Sequence, residues 1–84
     1  MKIVKISSMT CMSCIIMNNV MNRIKDNYNI EIENVDYDFD DISKYNVGKI
    51  LPVIIFYNND KEIKRLEGEH SYSEIERIIK DEEV

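Results

Sequence analysis

Cys11 and Cys14 are the cysteines of this sequence, and Met12 and Ser13 separate them. The pair follows a short apolar stretch and opens a segment with helical periodicity, which places Cys11 at the predicted start of a helix. Free backbone N–H groups and the positive end of the helix dipole favour a thiolate at such a position. A thiolate attacks disulfides and binds soft metals. Two chemistries therefore compete for these sulfurs: dithiol–disulfide exchange and metal capture.

Length and composition limit the kind of protein this can be. We predict one small domain over residues 1–84, in which 44% of the residues are hydrophobic. A disulfide across so short a loop would restrict the unfolded chain very little, and small secreted scaffolds usually carry about four or more cysteines. No apolar run has the length of a signal peptide or a transmembrane helix. We therefore expect a cytoplasmic protein with reactive cysteines and no membrane partner.

The charge balance is acidic. Eleven Lys and Arg residues stand against sixteen Asp and Glu residues, which gives a net charge of −5. Binding to the phosphates of a nucleic acid requires clustered basic side chains, and this sequence has no such cluster. We therefore predict no nucleic-acid partner.

The first half of the sequence alternates between strand and helix patterns. Residues 2–6 have the pattern of a strand, residues 11–28 of an amphipathic helix and residues 30–33 of a second strand. The helix carries an apolar stripe at i, i+4, i+7 and i+11 that is predicted to face the core. The stripe consists of Met17, Met21, Ile24 and Tyr28, widened by Ile16 and Val20.

The middle of the sequence predicts a short helix and then a buried strand. Asp40 or Asp41 can cap a helix that runs to about residue 45. Residues 49–57 form a β-branched apolar run typical of a central strand that is covered on both faces. Pro52 is tolerated only at the head of such a strand, because it has no N–H to donate.

The last part of the sequence predicts a hairpin and a final helix. The turn residues 58–60 lead to a strand at residues 61–67. Ser71 and Glu74 match a capping box at the start of a helix. The buried side of that helix is predicted to consist of Ile75, Ile78 and Ile79. The whole order is strand, helix, strand, short helix, strand, strand, helix, which favours a mixed four-stranded sheet between helices.

This element order, with Cys-x-x-Cys at the start of the first helix and an X-Pro at the head of the third strand, resembles the thioredoxin fold. The sequence is similar to the minimal, glutaredoxin-sized thioredoxins over nearly all of its length. The run Lys-Ile-Leu-Pro-Val-Ile-Ile-Phe at residues 49–56 matches the family's proline-containing strand, and Gly68 lies where the family has a glycine. The resemblance implies an α/β fold, a three-layer sandwich in which helices flank a four-stranded mixed sheet.

The same resemblance implies a role for each residue of the site. Cys11 corresponds to the nucleophile and Cys14 to the resolving thiol. Pro52 corresponds to the cis-proline beside the disulfide, and Leu51 would offer its backbone groups to an extended substrate segment. Met12, between the cysteines, is expected to be exposed and to contact substrate.

Several departures from the family pattern bear on the chemistry. Thr10 replaces the tryptophan usual before the first cysteine, and Met-Ser replaces Gly-Pro between the cysteines. Lys5 stands six residues before Cys11, where many thioredoxins have a buried acid. This exchange affects the rate and the redox potential more than the type of reaction. The glutathione contacts of glutaredoxins are not matched at residues 50–52 and 68–71, so we expect no dependence on glutathione.

A local resemblance favours the other chemistry. The stretch from Met9 to Cys14 resembles the Met-Thr-Cys-x-x-Cys loop of heavy-metal-associated domains, and soft thiolates with a nearby methionine suit Cu(I). Those domains follow the order strand–helix–strand–strand–helix–strand, whereas this sequence is predicted to end on a capped helix. Ser8 also replaces their usual glycine. A Cu(I)-binding module is therefore the alternative function.

The aspartates after the second predicted strand and the histidine are two further candidates for a functional site. Asp36, Asp38, Asp40 and Asp41 lie close together, but the glycine and the distal glutamate of an EF-hand calcium loop are missing. A strand end followed by a helix cap explains these residues better. His70 is the single histidine, and we expect it in a solvated loop.

We expect a small thiol–disulfide oxidoreductase in which Cys11 and Cys14 reduce substrate disulfides without a cofactor or a bound metal. Substrate contacts are assigned to Met12, Leu51 and Pro52. The partners implied are a protein that carries a disulfide, and a reductase or a small thiol that restores the dithiol. The protein is expected to be a monomer.

Overall fold

The structure of the protein is a computed structural model that describes residues 1–83. Residue 84, the end of the predicted domain, lies outside the described residues. The elements follow the predicted order, and none of the described helices is both long and apolar enough to cross a membrane. The elements are β1 (Lys2–Ser7), α1 (Met12–Asn27), β2 (Glu31–Asp36), a 3-10 turn (Ser43–Tyr45), β3 (Val53–Asn58), β4 (Lys61–Glu67) and α2 (Tyr72–Glu83).

The strands form one four-stranded mixed sheet in the order β2-β1-β3-β4. β1 pairs in parallel with β2 and antiparallel with β3, and β3 pairs antiparallel with β4. A parallel pair requires a crossover connection, and α1 supplies it between β1 and β2. The predicted mixed sheet is confirmed, with β1 and β3 as its central strands.

Alternation along the central strands divides the core between the two faces of the sheet. Ile3, Ile54 and Phe56 belong to one cluster with the buried side chains of both helices. The helix residues of this cluster are Met17, Met21, Ile24, Ile75 and Ile79. Val4 and Ile55 point to the other face, where Tyr45 and the segment between β2 and β3 cover them. This gives the predicted three-layer sandwich, in which a 3-10 turn and its flanking loops form the third layer.

The short helix before β3 differs from the prediction. It is the single 3-10 turn Ser43–Tyr45, and Ile42 precedes it without a side-chain cap. Asp41 closes a tight turn instead, because its Oδ1 accepts hydrogen bonds from the backbone N and the Oγ of Ser43 at 3.0 and 2.7 Å. Asp40 bonds back to the backbone N of Asp36, at 2.8 Å, and so does not cap the turn either.

Two further positions differ from the prediction. The third strand begins at Val53 and not at residue 49, since Pro52 cannot donate to a strand ladder. Ile16, expected to widen the apolar stripe of α1, is 46% exposed. At about 100° per residue it lies well to one side of the buried stripe, which is centred on Met17 and Met21.

The hairpin turn and the capping box predicted for the last third of the sequence are both confirmed. Asn59 and Asp60 have φ angles of 52° and 65°, as the two central residues of a type I′ hairpin turn require. At the start of α2, Ser71 Oγ accepts from the backbone N of Glu74 at 3.2 Å. Glu74 Oε1 accepts from the backbone N of Ser71 at 3.3 Å, which completes the capping box.

Candidate active site

Cys11 lies immediately before α1 and caps its N-terminus. Its backbone is extended, with φ −94° and ψ 112°, and its Sγ accepts a hydrogen bond from the backbone N–H of Cys14 at 3.2 Å. The sulfur thus occupies the position that the side-chain oxygen of Ser or Asp usually has. The first described turn of α1 contains no acidic residue, and the helix dipole favours negative charge on this sulfur.

Cys14 lies in the first turn of α1 and is joined to Cys11 by a disulfide, with the two Cα atoms 5.2 Å apart. The two cysteines differ in accessibility. Cys14 is 2% exposed, whereas Cys11 is partly exposed. Cys11 is therefore the more accessible sulfur, while Cys14 is shielded by the fold.

A groove of about 510 Å³ opens beside Cys11. It is called the Leu51 groove here, and its lining residues are Ser8, Thr10, Cys11, Tyr37, Asp38, Lys49, Ile50 and Leu51. The structure thus brings Cys11 and Leu51 together, although they are distant in the sequence. Leu51 is partly buried, and it directly precedes the buried Pro52.

The peptide bond between Leu51 and Pro52 is cis. The Pro52 carbonyl accepts a hydrogen bond from the backbone N of Gly68 at 2.9 Å. Gly68 has a φ of 83°, which glycine adopts without strain. The turn after β4 therefore holds the segment that carries Leu51.

Met12 is 72% exposed, as predicted. It follows Cys11 but is not among the described residues that line the Leu51 groove. Its contact with substrate, like that of Leu51 and Pro52, remains a prediction.

The acidic residues after β2 form the hydrogen bonds of a loop. Asp36 Oδ1 accepts from the backbone N of Asp38 at 2.8 Å and of Phe39 at 3.3 Å. Asp38 Oδ2 accepts from Ser8 Oγ at 2.8 Å, which connects this loop to the one before α1. Within residues 1–83, no group of three or more His, Cys, Asp and Glu side chains is arranged to hold a metal ion.

Cys14 lines a separate groove of about 270 Å³. It is called the Asn18 groove here, and its lining residues are Ser7, Ser8, Met9, Cys14, Ile15, Asn18, Asn34, Val35, Asp36 and Asp40. Lys5 is 2% exposed, and its Nζ donates a hydrogen bond to Oδ1 of Asn18. Burial lowers the pKa of Lys5 below its ordinary value of 10.5.

His70 lies in the loop before α2, as predicted, but its ring is held in place. Nδ1 lies 2.7 Å from Glu74 Oε2, and Nε2 lies 3.0 Å from the carbonyl oxygen of Glu67. The hydrogen bond with Glu74 raises the pKa of His70 above its ordinary value of 6.5. Its backbone N donates to Met17 Sδ at 3.4 Å, so His70 connects α2 to α1 rather than to either groove.

A sequence profile of the family described as Thioredoxin matches residues 1–81. The chain belongs to the thioredoxin family. Thioredoxin 1 from the thermophilic eubacterium Thermosipho africanus has a similar structure, with 28% identity, full coverage of both chains (100% each) and a TM-score of 0.83. No curated protein is significantly similar in sequence.

Two eukaryotic thioredoxins share the fold at lower identity. Thioredoxin-2 of the malaria parasite, described as a component of its protein secretion machinery, is 24% identical, with a TM-score of 0.88 over 95% of this chain and 81% of that one. A reduced thioredoxin pre-protein of Schistosoma mansoni is 22% identical, with a TM-score of 0.83 over 95% of this chain and 76% of that one.

Membership of the thioredoxin family and the disulfide-bonded pair Cys11–Cys14 together support thiol–disulfide oxidoreductase chemistry. The order of elements differs from that of heavy-metal-associated domains, because three strands, β2, β3 and β4, lie between α1 and α2 instead of two. The resemblance of residues 9–14 to the metal-binding loop of those domains is therefore local.

Two features of this thioredoxin-family site escaped sequence reasoning. The first is the bond between Lys5 and Asn18, because Asn18 is exposed and lies outside the apolar stripe of α1. Lys5 lies at an inward-facing position of an apolar strand, and this position could have indicated a buried polar contact. The second is the set of exposed apolar residues near the site, including Phe39 at 81% and Ile50 at 57%. Apolar residues in a loop have no periodicity that could show their exposure.

Proposed function

We propose that this member of the thioredoxin family reduces disulfide bonds in other proteins with the dithiol of Cys11 and Cys14. The observation that carries the proposal is the asymmetry of the two cysteines. Cys11 is partly exposed at a helix N-terminus beside the Leu51 groove, and Cys14 is 2% exposed. An accessible thiolate suits the first attack, and a shielded thiol suits the second, intramolecular attack.

The reaction has two exchanges. The Cys11 thiolate attacks one sulfur of the substrate disulfide, a mixed disulfide forms, and the other substrate sulfur leaves as a thiolate that takes up a proton. Cys14 then loses its proton and attacks Cys11 Sγ, which forms the Cys11–Cys14 bond and releases the second substrate thiolate. An electron pair has passed from the dithiol to the substrate. A reductase or a small thiol must reduce Cys11–Cys14 again.

The surroundings of Cys11 support a protein as the substrate. Exposed apolar side chains lie in the segments that line the Leu51 groove, and such patches mark contact surfaces. They are Met9 at 79%, Met12 at 72%, Phe39 at 81% and Ile50 at 57% exposure. We propose that a substrate segment enters the Leu51 groove and contacts Met12, Leu51 and Pro52.

The proposed setting follows from the chemistry. A dithiol that donates electrons must be kept reduced, and the cytoplasm keeps thiols reduced. We therefore propose that the protein acts in the cytoplasm as a monomer, with protein disulfides and an electron donor as its partners. The reaction as written uses the two sulfurs alone, without a cofactor.

Replacing the resolving thiol tests the proposal. The reduced Cys14→Ser protein should form a covalent mixed disulfide between Cys11 and insulin, because the attack that releases the substrate is lost. The complex should appear on a non-reducing gel and disappear with dithiothreitol. The wild type should reduce insulin with dithiothreitol as donor and accumulate no complex.

Cys11→Ser is the matched control, and it should give neither complex nor turnover. The proposal would be wrong if the wild type did not reduce insulin and the Cys14→Ser variant formed no mixed disulfide with it. Tight Cu(I) binding by such an inactive wild type, measured by competition titration, would support the metal-binding alternative instead.

A further inference from the structure

Lys5 is a fully buried amine whose hydrogen-bond partner is a neutral side chain. It is 2% exposed, and its Nζ donates to the side-chain oxygen of Asn18. Lysine is almost never fully buried without a charged partner, because removing the ammonium from water costs free energy. Its neighbours along β1, Val4 and Ile6, belong to the apolar core. Packing of the core gives no reason for a lysine at this position. A buried ionisable group of this kind is a candidate for a role in the chemistry of the dithiol.

The position of Lys5 follows from the register of the sheet. Side chains alternate along a strand, and Val4 and Ile6 belong to the cluster on the face away from the helices. Lys5 therefore faces α1, as its bond to Asn18 shows. Asn18 comes four residues after Cys14, and side chains at this spacing are neighbours on one helix face, about 5–6 Å apart at Cβ. The amine thus contacts α1 one helical turn after Cys14.

The charged and titratable groups around Lys5 come from the elements packed against it. On α1 this group is Cys14, which lies one helical turn before Asn18, the partner of Lys5. After β2, the carboxylates of Asp36 and Asp40 line the Asn18 groove together with Cys14. The residue opposite Lys5 on β3 is the apolar Ile54. The described lining of this groove contains no Lys or Arg, and Lys5 is connected to it through its hydrogen bond to the lining residue Asn18.

Burial and a neighbouring thiolate act on Lys5 in opposite directions. Burial lowers the pKa of Lys5, because desolvation penalises the ammonium form. A thiolate at Cys14 would favour the ammonium, since opposite charges within about 4–6 Å stabilise each other. This coupling is reciprocal, so a protonated Lys5 stabilises the Cys14 thiolate by the same free energy.

We propose that Lys5, held by Asn18, is a positioning residue that favours the thiolate form of Cys14 when Cys14 resolves the mixed disulfide. The proposal rests on the function proposed above and concerns its second exchange. The thiol proton of Cys14 passes to solvent through the Asn18 groove, and Cys14 Sγ attacks Cys11 Sγ. The substrate sulfur leaves as a thiolate and takes up a proton from solvent, and Lys5 keeps its proton throughout.

The direct test is a titration of Cys14. In the reduced Cys11→Ser protein Cys14 is the remaining thiol, and serine keeps an acceptor at the N-cap. The ultraviolet absorbance of the thiolate, followed against pH, gives its midpoint. Adding Lys5→Met should raise that midpoint by about one unit or more, which lowers the thiolate fraction at neutral pH about tenfold.

The kinetic test uses the protein with both cysteines. With a fluorescent disulfide-linked peptide as substrate, Lys5→Met should slow release from the mixed disulfide about tenfold at neutral pH. The loss should shrink as the pH rises, because Cys14 then ionises without help. The first attack by Cys11 should keep its rate. A merely structural role of Lys5 would not shift the pH profile of the second exchange alone.

Lys2→Met is the matched control. It removes a lysine from the same strand, but Lys2 is partly exposed and its Nζ pairs with Glu33 at 2.8 Å. It should leave the Cys14 midpoint unchanged. The double variant Lys5→Met/Asn18→Leu removes the amine and its partner together, and it replaces Lys5→Met if that single variant does not fold.

An unchanged Cys14 midpoint in a folded Lys5 variant would overturn the proposal. This outcome differs from a failure of the proposed function. If the wild type attacked no peptide disulfide, the reductase function would be wrong, whereas the Cys14 titration would still measure the influence of Lys5.

Discussion

At the residue scale, burial and backbone position give two identical side chains different chemistry. Cys11 Sγ accepts a hydrogen bond from the backbone N–H of Cys14, and Cys11 lines the Leu51 groove. Cys14 is 2% exposed and lines the Asn18 groove. The order of attack in the proposed reaction follows from this difference, since the thiolate is the reactive form.

Alkylation of the reduced protein should show this difference directly. At neutral pH iodoacetamide should modify Cys11 about tenfold faster than Cys14, because a helix N-terminus increases the thiolate fraction of a thiol. Peptide mapping by mass spectrometry measures both rates. In the urea-unfolded protein the two rates should become equal, which serves as the control. Faster labelling of Cys14 in the folded protein would reverse the assigned roles.

At the scale of elements, the start of α2 combines a capping box with a hydrogen bond between Glu74 and His70. Ser71 and Glu74 form the capping box, and Glu74 also bonds to the ring of His70 at 2.7 Å. His70 in turn donates its backbone N–H to Met17 on α1. The beginning of one helix is thereby tied to the middle of the other, and one of these ties is sensitive to pH.

The stability of the protein should depend on pH through His70 and Glu74. The hydrogen bond between them raises the pKa of His70, so its stabilisation is complete below the ordinary value of 6.5 and is lost as pH rises through the raised value. The same bond lowers the pKa of Glu74, so that stabilisation is present above 4.5 and is lost as pH falls through the lowered value. The stabilisation by this hydrogen bond is therefore largest between pH 4.5 and pH 6.5.

Thermal unfolding followed by circular dichroism tests this dependence. The melting temperature of the wild type should exceed that of His70→Gln most between about pH 4.5 and 6.5, and the difference should decrease at higher pH. Lys80→Gln, an exposed change on the same helix, is the control and should show no such maximum. A difference that grows as the pH rises above neutrality would contradict the assignment.

At the scale of the whole molecule, apolar side chains serve two purposes in two places. The core is divided by the sheet, and its central strands β1 and β3 supply residues to both faces. The rim of the Leu51 groove leaves apolar side chains in solvent. Ile54 and Ile50 represent the two places, with 0% and 57% exposure.

Alanine substitutions at these two isoleucines should separate stability from activity. Ile54→Ala should lower the free energy of unfolding by about 2–5 kcal/mol, because it leaves a cavity in the core. Ile50→Ala should change it by only about 0.5 kcal/mol or less, but should raise the KM for insulin reduction. Urea unfolding and the turnover assay measure the two effects. An unchanged KM for Ile50→Ala would remove Ile50 from the substrate surface.

The sequence by itself determined the features that depend on near neighbours in the chain. The buried stripe through Met17 and Met21 follows from the helical repeat, because side chains three or four residues apart share a face. The turn at Asn59 and the capping box at Ser71 follow from side-chain chemistry within a few residues. The cysteine spacing at a helix start, together with the order of elements, was also enough to indicate the family.

Only the tertiary structure decided which distant residues meet. Strand order and register place Leu51 beside Cys11 and direct Lys5 towards α1, where it reaches Asn18. They also place the segment before β3 over one face of the sheet, where a single 3-10 turn replaces the expected helix. Local patterns cannot supply these contacts, because the side on which a strand residue points depends on its partners in the sheet.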